Sequence, residues 1–160
     1  MRSSTRRKAS ERGQNLLEFA LLAPFVLLFI GAIVVFGFAL NTRSSLQQAV
    51  REGARQASVG KSLAQVQALA AGNAPDVIDP ADIAWCHPVG SSGTQGATGD
   101  PVVVYIWMGG QEGYEYTIAS AAGILNVVGL NNLSVRMSPE ATARLEKSVA
   151  TPVDCPPGVG

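Results

Sequence analysis

The chain has 160 residues with twelve acidic and twelve basic side chains, enough for a membrane span and one modest folded unit. The balance hides a polarity: residues 1–13 carry Arg2, Arg6, Arg7, Lys8 and Arg12 against Glu11, while the remainder has seven basic residues against eleven acidic ones. The basic leader lacks the aromatic and glycine-rich companions of a nucleic-acid surface, so no nucleic-acid partner is expected.

Residues 1–12 are Ser- and Arg-rich with no apolar period, which predicts a disordered or membrane-surface segment. Arg6-Arg7 is not followed by a hydrophobic pair, which argues against a twin-arginine signal. From Phe19 to Leu40 the chain is apolar without a charge. As a helix this block is roughly 33 Å long, against about 30 Å for a bilayer's hydrocarbon core. It exceeds the ~7–15-residue apolar core of a cleaved secretory signal, and Ala39 to Asn41 make a poor cutting site. Basic residues flanking one end of a span stay on the cytoplasmic side, so the N-terminus is expected inside and everything after Leu40 outside.

One helix is predicted over 14–59, transmembrane at about 19–40, with Pro24 loosening a turn. Gly31 and Gly37 are small enough to let neighbouring helices approach. Past the span, Leu46, Ala49, Val50, Ala54 and Ala57 recur at helical spacing, with Arg43, Arg51, Glu52 and Arg55 on the other faces. Gly60 suits the helix end. Residues 61–71 repeat a short helical pattern, closed by Gly72-Asn73 and Pro75.

Residues 60–160 are expected to form an extracytoplasmic unit, richer in strands from Asp76 onward. Residues 83–86 are a short strand candidate, and 88–100, with four glycines, form a loop. Pro101 to Met108 is the best strand in the chain, β-branched and aromatic. A glycine turn at 109–113 is predicted to return Tyr114 to Ile118 against it as a hairpin. Residues 119–130 read as a short helix or an irregular apolar segment. Leu133, Val135 and Met137 alternate as a third main strand. Ser138-Pro139-Glu140 resembles a helix start, yet alternation runs on through Ala141, Ala143 and Leu145, and the two readings stay equal. The tail from Thr151 is expected to be extended and held by Cys155. The fold class is therefore α+β, a long helix packed on a small antiparallel sheet.

Cys86 and Cys155, both on the exported side, are expected to pair. His87 adds too few ligands to make a zinc site with them. Asp76, Asp79 and Asp82, interleaved with prolines, read as turn acids and not as a calcium loop. Trp85, Tyr105 and Trp107 read as strand and core residues. The stretch 51–55 reads first as a charged helix surface, and otherwise as a face that docks the outer sheet or a neighbour through Gly53 and Ala54. With no nucleophile motif near His87, no catalytic residue, cofactor or metal is expected, and the protein is not expected to be an enzyme.

Glu18 stands alone at the cytoplasmic border of the span. It is either a solvated interfacial acid or, if the chain is cut after Gly13, a carboxylate four residues from the new α-amine of Gln14. In a stack of such helices each charge would offset the other's desolvation. The run Gly13-Gln14-Asn15-Leu16-Leu17-Glu18-Phe19 is similar to the prepilin-peptidase site of type IV pilins. Together with Arg12, Ala20-Leu21, Pro24, the run from Phe36 to Arg43 and that from Ala49 to Ala57, it resembles the TadE-like pseudopilins of tight-adherence (Flp) pili over the first 60 residues or so. Phe19 departs from the tyrosine frequent at that place. The resemblance implies a pilin-like fold and a processing site at Gly13, Gln14, Glu18 and Phe19. It implies removal of the 1–13 leader and a structural or assembly-initiating role in a filament, with contacts through Gln14, Glu18, Pro24, Gly31, Gly37, Arg51 and Arg55. The membrane, a prepilin peptidase, other pilin subunits and an assembly platform would be the partners. The competing expectation is an uncleaved, signal-anchored binding or adhesion domain.

Overall fold

The computed structural model describes residues 5–90, 93–117 and 134–159. A long helix, α1 (Thr5–Ser58), is followed by a short one, α2 (Leu63–Ala71), and a 3-10 turn at Pro80–Asp82. Strands follow in the order β1 (Ile83–Cys86), β2 (Pro101–Met108), β3 (Gln111–Glu112), β4 (Tyr114–Thr117), β5 (Ser134–Met137) and β6 (Glu140–Arg144). The α+β arrangement expected from the sequence is present.

Helix α1 starts earlier than predicted, running back through the leader to Thr5. Arg, Lys, Ala and Glu are good helix formers, and adding residues to an existing helix avoids the cost of a new nucleus. Pro24 lies inside α1 without ending it; its ring denies the Ala20 carbonyl the usual N–H partner. At the other end Gly60 N–H bonds the Ala57 carbonyl at 3.0 Å and Lys61 N–H that of Gln56 at 3.3 Å. With Gly60 at φ +82°, this is the Schellman closure that a glycine permits. In α2 the Gln65 side chain accepts the Ser62 N–H at 3.2 Å, which satisfies one of the orphan donors of a helix start.

Strand β2 is the centre of the main sheet, antiparallel to β1 along one edge and to β6, with Val104 opposite both Trp85 and Ala141. Its apolar run is continuous because both faces are covered. Val102, Val104 and Ile106 join Leu46, Val50 and Ala54 of α1, Val66 and Ala70 of α2, and Leu145 in the principal core. Val103 and Tyr105, on the opposite face, pack with Cys86 and Val159 of the tail.

Two expectations are corrected and one open choice is resolved. The hairpin partner of β2 is β3, not Tyr114 to Ile118: Gly109 and Gly110, at φ +61° and +81°, close a two-residue turn that pairs Met108 with Gln111. Ser134–Met137 do not add a third strand to this sheet; β5 pairs with β4 in a separate two-stranded ribbon, Tyr116 opposite Val135. Gly113 marks the divergence, since a Cβ there would stand 2.8 Å from the Met137 carbonyl oxygen. Third, the choice left open at 138–145 resolves as strand, because β6 fills the edge of β2 from Pro101 to Tyr105. Residues 119–130 lie outside the described residues.

Candidate functional site

Three places matter: the amino-terminal end of α1, its apolar shaft, and the junction where α1 meets the sheet. Gln14 and Glu18 are four residues apart on one helix face, and both are exposed. Among the described residues Glu18 has no hydrogen-bond or ion-pair partner. The bond after Gly13 lies inside α1, at the residue type that costs a helix interior most after proline, about 1 kcal/mol relative to alanine.

The shaft is long and apolar enough to cross a membrane, and only 6% of its most apolar window is buried. Phe25, Phe29, Ile33 and Phe36 are all more than half exposed. A Cβ added at Gly31 or Gly37 would meet nothing within 4 Å, so nothing among the described residues uses their smallness. Pro24 is likewise exposed.

The junction is built on Gly53. A Cβ there would meet Val104 Cγ1 at 2.9 Å, Ala70 Cβ at 3.3 Å and Val66 Cγ1 at 3.6 Å. Gly53 and Ala54 thus let α1 lie close to both β2 and α2, the sheet-docking alternative drawn from the sequence. Arg51 and Arg55 face outward. Arg55 sits 3.8 Å from Glu52, which also accepts a hydrogen bond from Gln56. So exposed a pair adds little stability.

On the far side of the sheet Cys86 and Cys155 are bonded, Cα atoms 4.9 Å apart. The tail is held by more than this bond. His87 N–H donates to the Val153 carbonyl at 2.7 Å, and Val153 N–H returns to His87 Nδ1 at 3.1 Å. Gln95 Nε2 donates to the His87 carbonyl at 2.9 Å and to Asp154 Oδ1 at 2.8 Å. His87 is fully buried, with the Trp85 ring 5.8 Å away, and its Nε2 has no hydrogen-bond partner among the described residues. As Nδ1 accepts, the ring is the neutral tautomer with its proton on Nε2. Residues 94–100 of the glycine-rich loop are organised by buried Asp100, whose Oδ2 accepts from Thr94 Oγ1 and Ala97 N–H, both at 2.9 Å. Sequence reasoning missed His87 and Asp100 as organising residues; the glycines around Asp100 were the visible signal. Asp82 Oδ2 accepts the Asp79 N–H at 2.9 Å, the work of a turn acid.

Burial holds the His87 pKa below its ordinary 6.5. A ring harder to protonate when folded than when unfolded stabilises the fold fully above pH 6.5 and progressively less as the pH falls below it. Protonation would also set an N–H at Nδ1 against the Val153 N–H. The urea midpoint of the full chain in detergent micelles is expected to fall between about pH 7 and about pH 5, and His87→Asn to flatten that slope while lowering the midpoint at the higher pH.

An apolar rod is thus continuous with the wall of a small disulfide-closed head. Residues 13–55 match the family described as TadE-like protein. The matched segment starts at Gly13 and takes in Gly53 and Ala54, which dock the sheet, and it supports a pilin-like role associated with tight-adherence pili. No curated protein and no solved structure matches the chain.

Proposed function

We propose that this protein is a minor pilin or pseudopilin, a structural or assembly-initiating subunit of a tight-adherence pilus used in adhesion or secretion. It is a non-enzymatic building block. A prepilin peptidase removes residues 1–13 on the cytoplasmic face, and the head stands outside the cytoplasmic membrane until the subunit enters the filament. The observation that carries this reading is the family match beginning at Gly13, with an exposed Glu18, unpartnered among the described residues, one helical turn past the new amine. In the filament Glu18 meets the Gln14 amine of a neighbour, while Pro24, Gly31 and Gly37 give the exposed shaft its contact surface with other subunits and the assembly platform. Arg51 and Arg55, turned outward from the head's core, serve contacts beside the shaft.

Peptidases act on extended backbone, so the helix must open at the scissile bond. Gly13 makes that opening cheap, and a larger residue would both strengthen the helix and crowd the peptidase. Intact mass and N-terminal sequencing of protein extracted from cells with an active prepilin peptidase are expected to show Gln14 first, and Gly13→Leu to leave the leader attached. A second reading, an uncleaved anchor presenting a binding head, is favoured by one feature: α1 runs unbroken through Gly13 to Thr5. Wild-type chain still carrying its leader would select it.

A further inference from the structure

The outer end of the shaft carries a groove of about 600 Å³ between α1 and β5. Its helix wall includes Val35, Phe36 and Leu40, and its other wall Val135, Met137 and Pro139. Val35, inside the apolar span, is only 7% exposed, while Val135 across from it is 45% exposed. Val35 stands five residues before Leu40, about 8 Å down the helix axis, within the roughly 15 Å of a single leaflet's hydrocarbon. The β5 wall therefore dips into the outer leaflet when the span is inserted. Two arginines, Arg43 and Arg136, line the groove, and no acid among the described residues does. Arg43 has no ion pair among the described residues, and Arg136 has a single long contact of 3.9 Å to Glu115.

We propose that this groove holds one anionic phospholipid of the outer leaflet, an acyl chain between α1 and β5 and the phosphate at Arg43 and Arg136. Apolar walls at acyl depth topped by cations match the amphiphile in both chemistry and order. A second copy of the chain is the poorer occupant. Between Glu18 and Glu52 the sequence has no acid, so a neighbouring helix in register would bring its own Arg43 and nothing to neutralise it. The lipid would also explain why Val135 stays exposed at that height. This inference rests on insertion of the span and not on cleavage or filament entry, so an uncut chain would leave it standing.

The test uses the full chain in phosphatidylcholine nanodiscs doped with a phospholipid bearing a photoreactive acyl chain, with either a phosphatidylglycerol or a phosphatidylcholine headgroup. Crosslinks are mapped by peptide mass spectrometry. Labelling of β5 around Val135 to Met137 is expected from the phosphatidylglycerol probe in preference to the other. Arg43→Gln, at an exposed position, should cut that preference about fivefold, the factor for one cation at the membrane surface. Arg136→Gln should cut it less, since Glu115 already shares its charge. Equal labelling by the two probes, no labelling of β5, an unchanged ratio in Arg43→Gln, or β5 crosslinked to a second copy would each overturn the assignment.

Discussion

Cys155→Ser is expected to lower the unfolding free energy of the head by about 4 kcal/mol, the chain-entropy value for opening a loop of this size. The bond joins residues 69 apart, and that loop contains β2 and β6. Without it, the unfolded chain regains the freedom the closed loop denied, and a head this small has little stability to spare. Guanidinium unfolding of the full chain in micelles, followed by far-ultraviolet circular dichroism, would measure the loss. The His87–Val153 pair and the Gln95 bonds remain in the variant and hold the tail near its place. The folded structure should therefore persist under mild conditions with a lower midpoint. A midpoint unchanged by Cys155→Ser would mean that those hydrogen bonds and Val159, not the disulfide, secure the tail.

The second large effect belongs to Gly53→Leu, expected to cost about 3 kcal/mol or more, the upper range for forcing extra methylenes into a packed core. The space is already taken by Val104 Cγ1, 2.9 Å from where a Cβ would sit. Val104 is fully buried and β-branched, so its χ1 has little freedom to turn the methyl away. Gly37→Leu is the control: the same change at a glycine with no neighbour within 4 Å should raise helix stability by up to about 1 kcal/mol. Thermal unfolding of the two variants side by side would separate close packing from helix propensity. A Gly53→Leu protein as stable as wild type would remove the close approach of α1 to the sheet.

The elements written in local pattern were legible, and those decided by distant partners were not. Strand β2 could be read because a strand buried on both faces needs an unbroken apolar run, and residues 101–108 are one. The helix face of Leu46, Val50 and Ala54 was equally plain, because its period alone points it at a core. Beyond β2 the local signals pointed elsewhere. Ser138-Pro139-Glu140 carries the marks of a helix start, yet the vacant edge of β2 recruited 140–144 as a strand. Gly113 looked like one more turn glycine, and only the nearby Met137 carbonyl shows that it directs β4 to β5. The candidate site divides the same way. The disulfide and the glycine-to-glutamate spacing were visible in residue types and order, whereas His87 binds Val153, 66 positions away, a contact no window on the sequence contains.

Helix α1 is at once a rod long and apolar enough to cross a bilayer and one wall of the head's interior, with no linker between the two roles. Over 54 residues it measures about 80 Å, and Leu46 and Val50 near its far end are locked into the core. Tension on the anchored end therefore reaches the sheet without first straightening a tether, and the head cannot swivel unless the rod twists with it. A soluble version trimmed to begin after Ser58 would leave Val104 and Ile106 wet and should be recovered as an unfolded or aggregating chain.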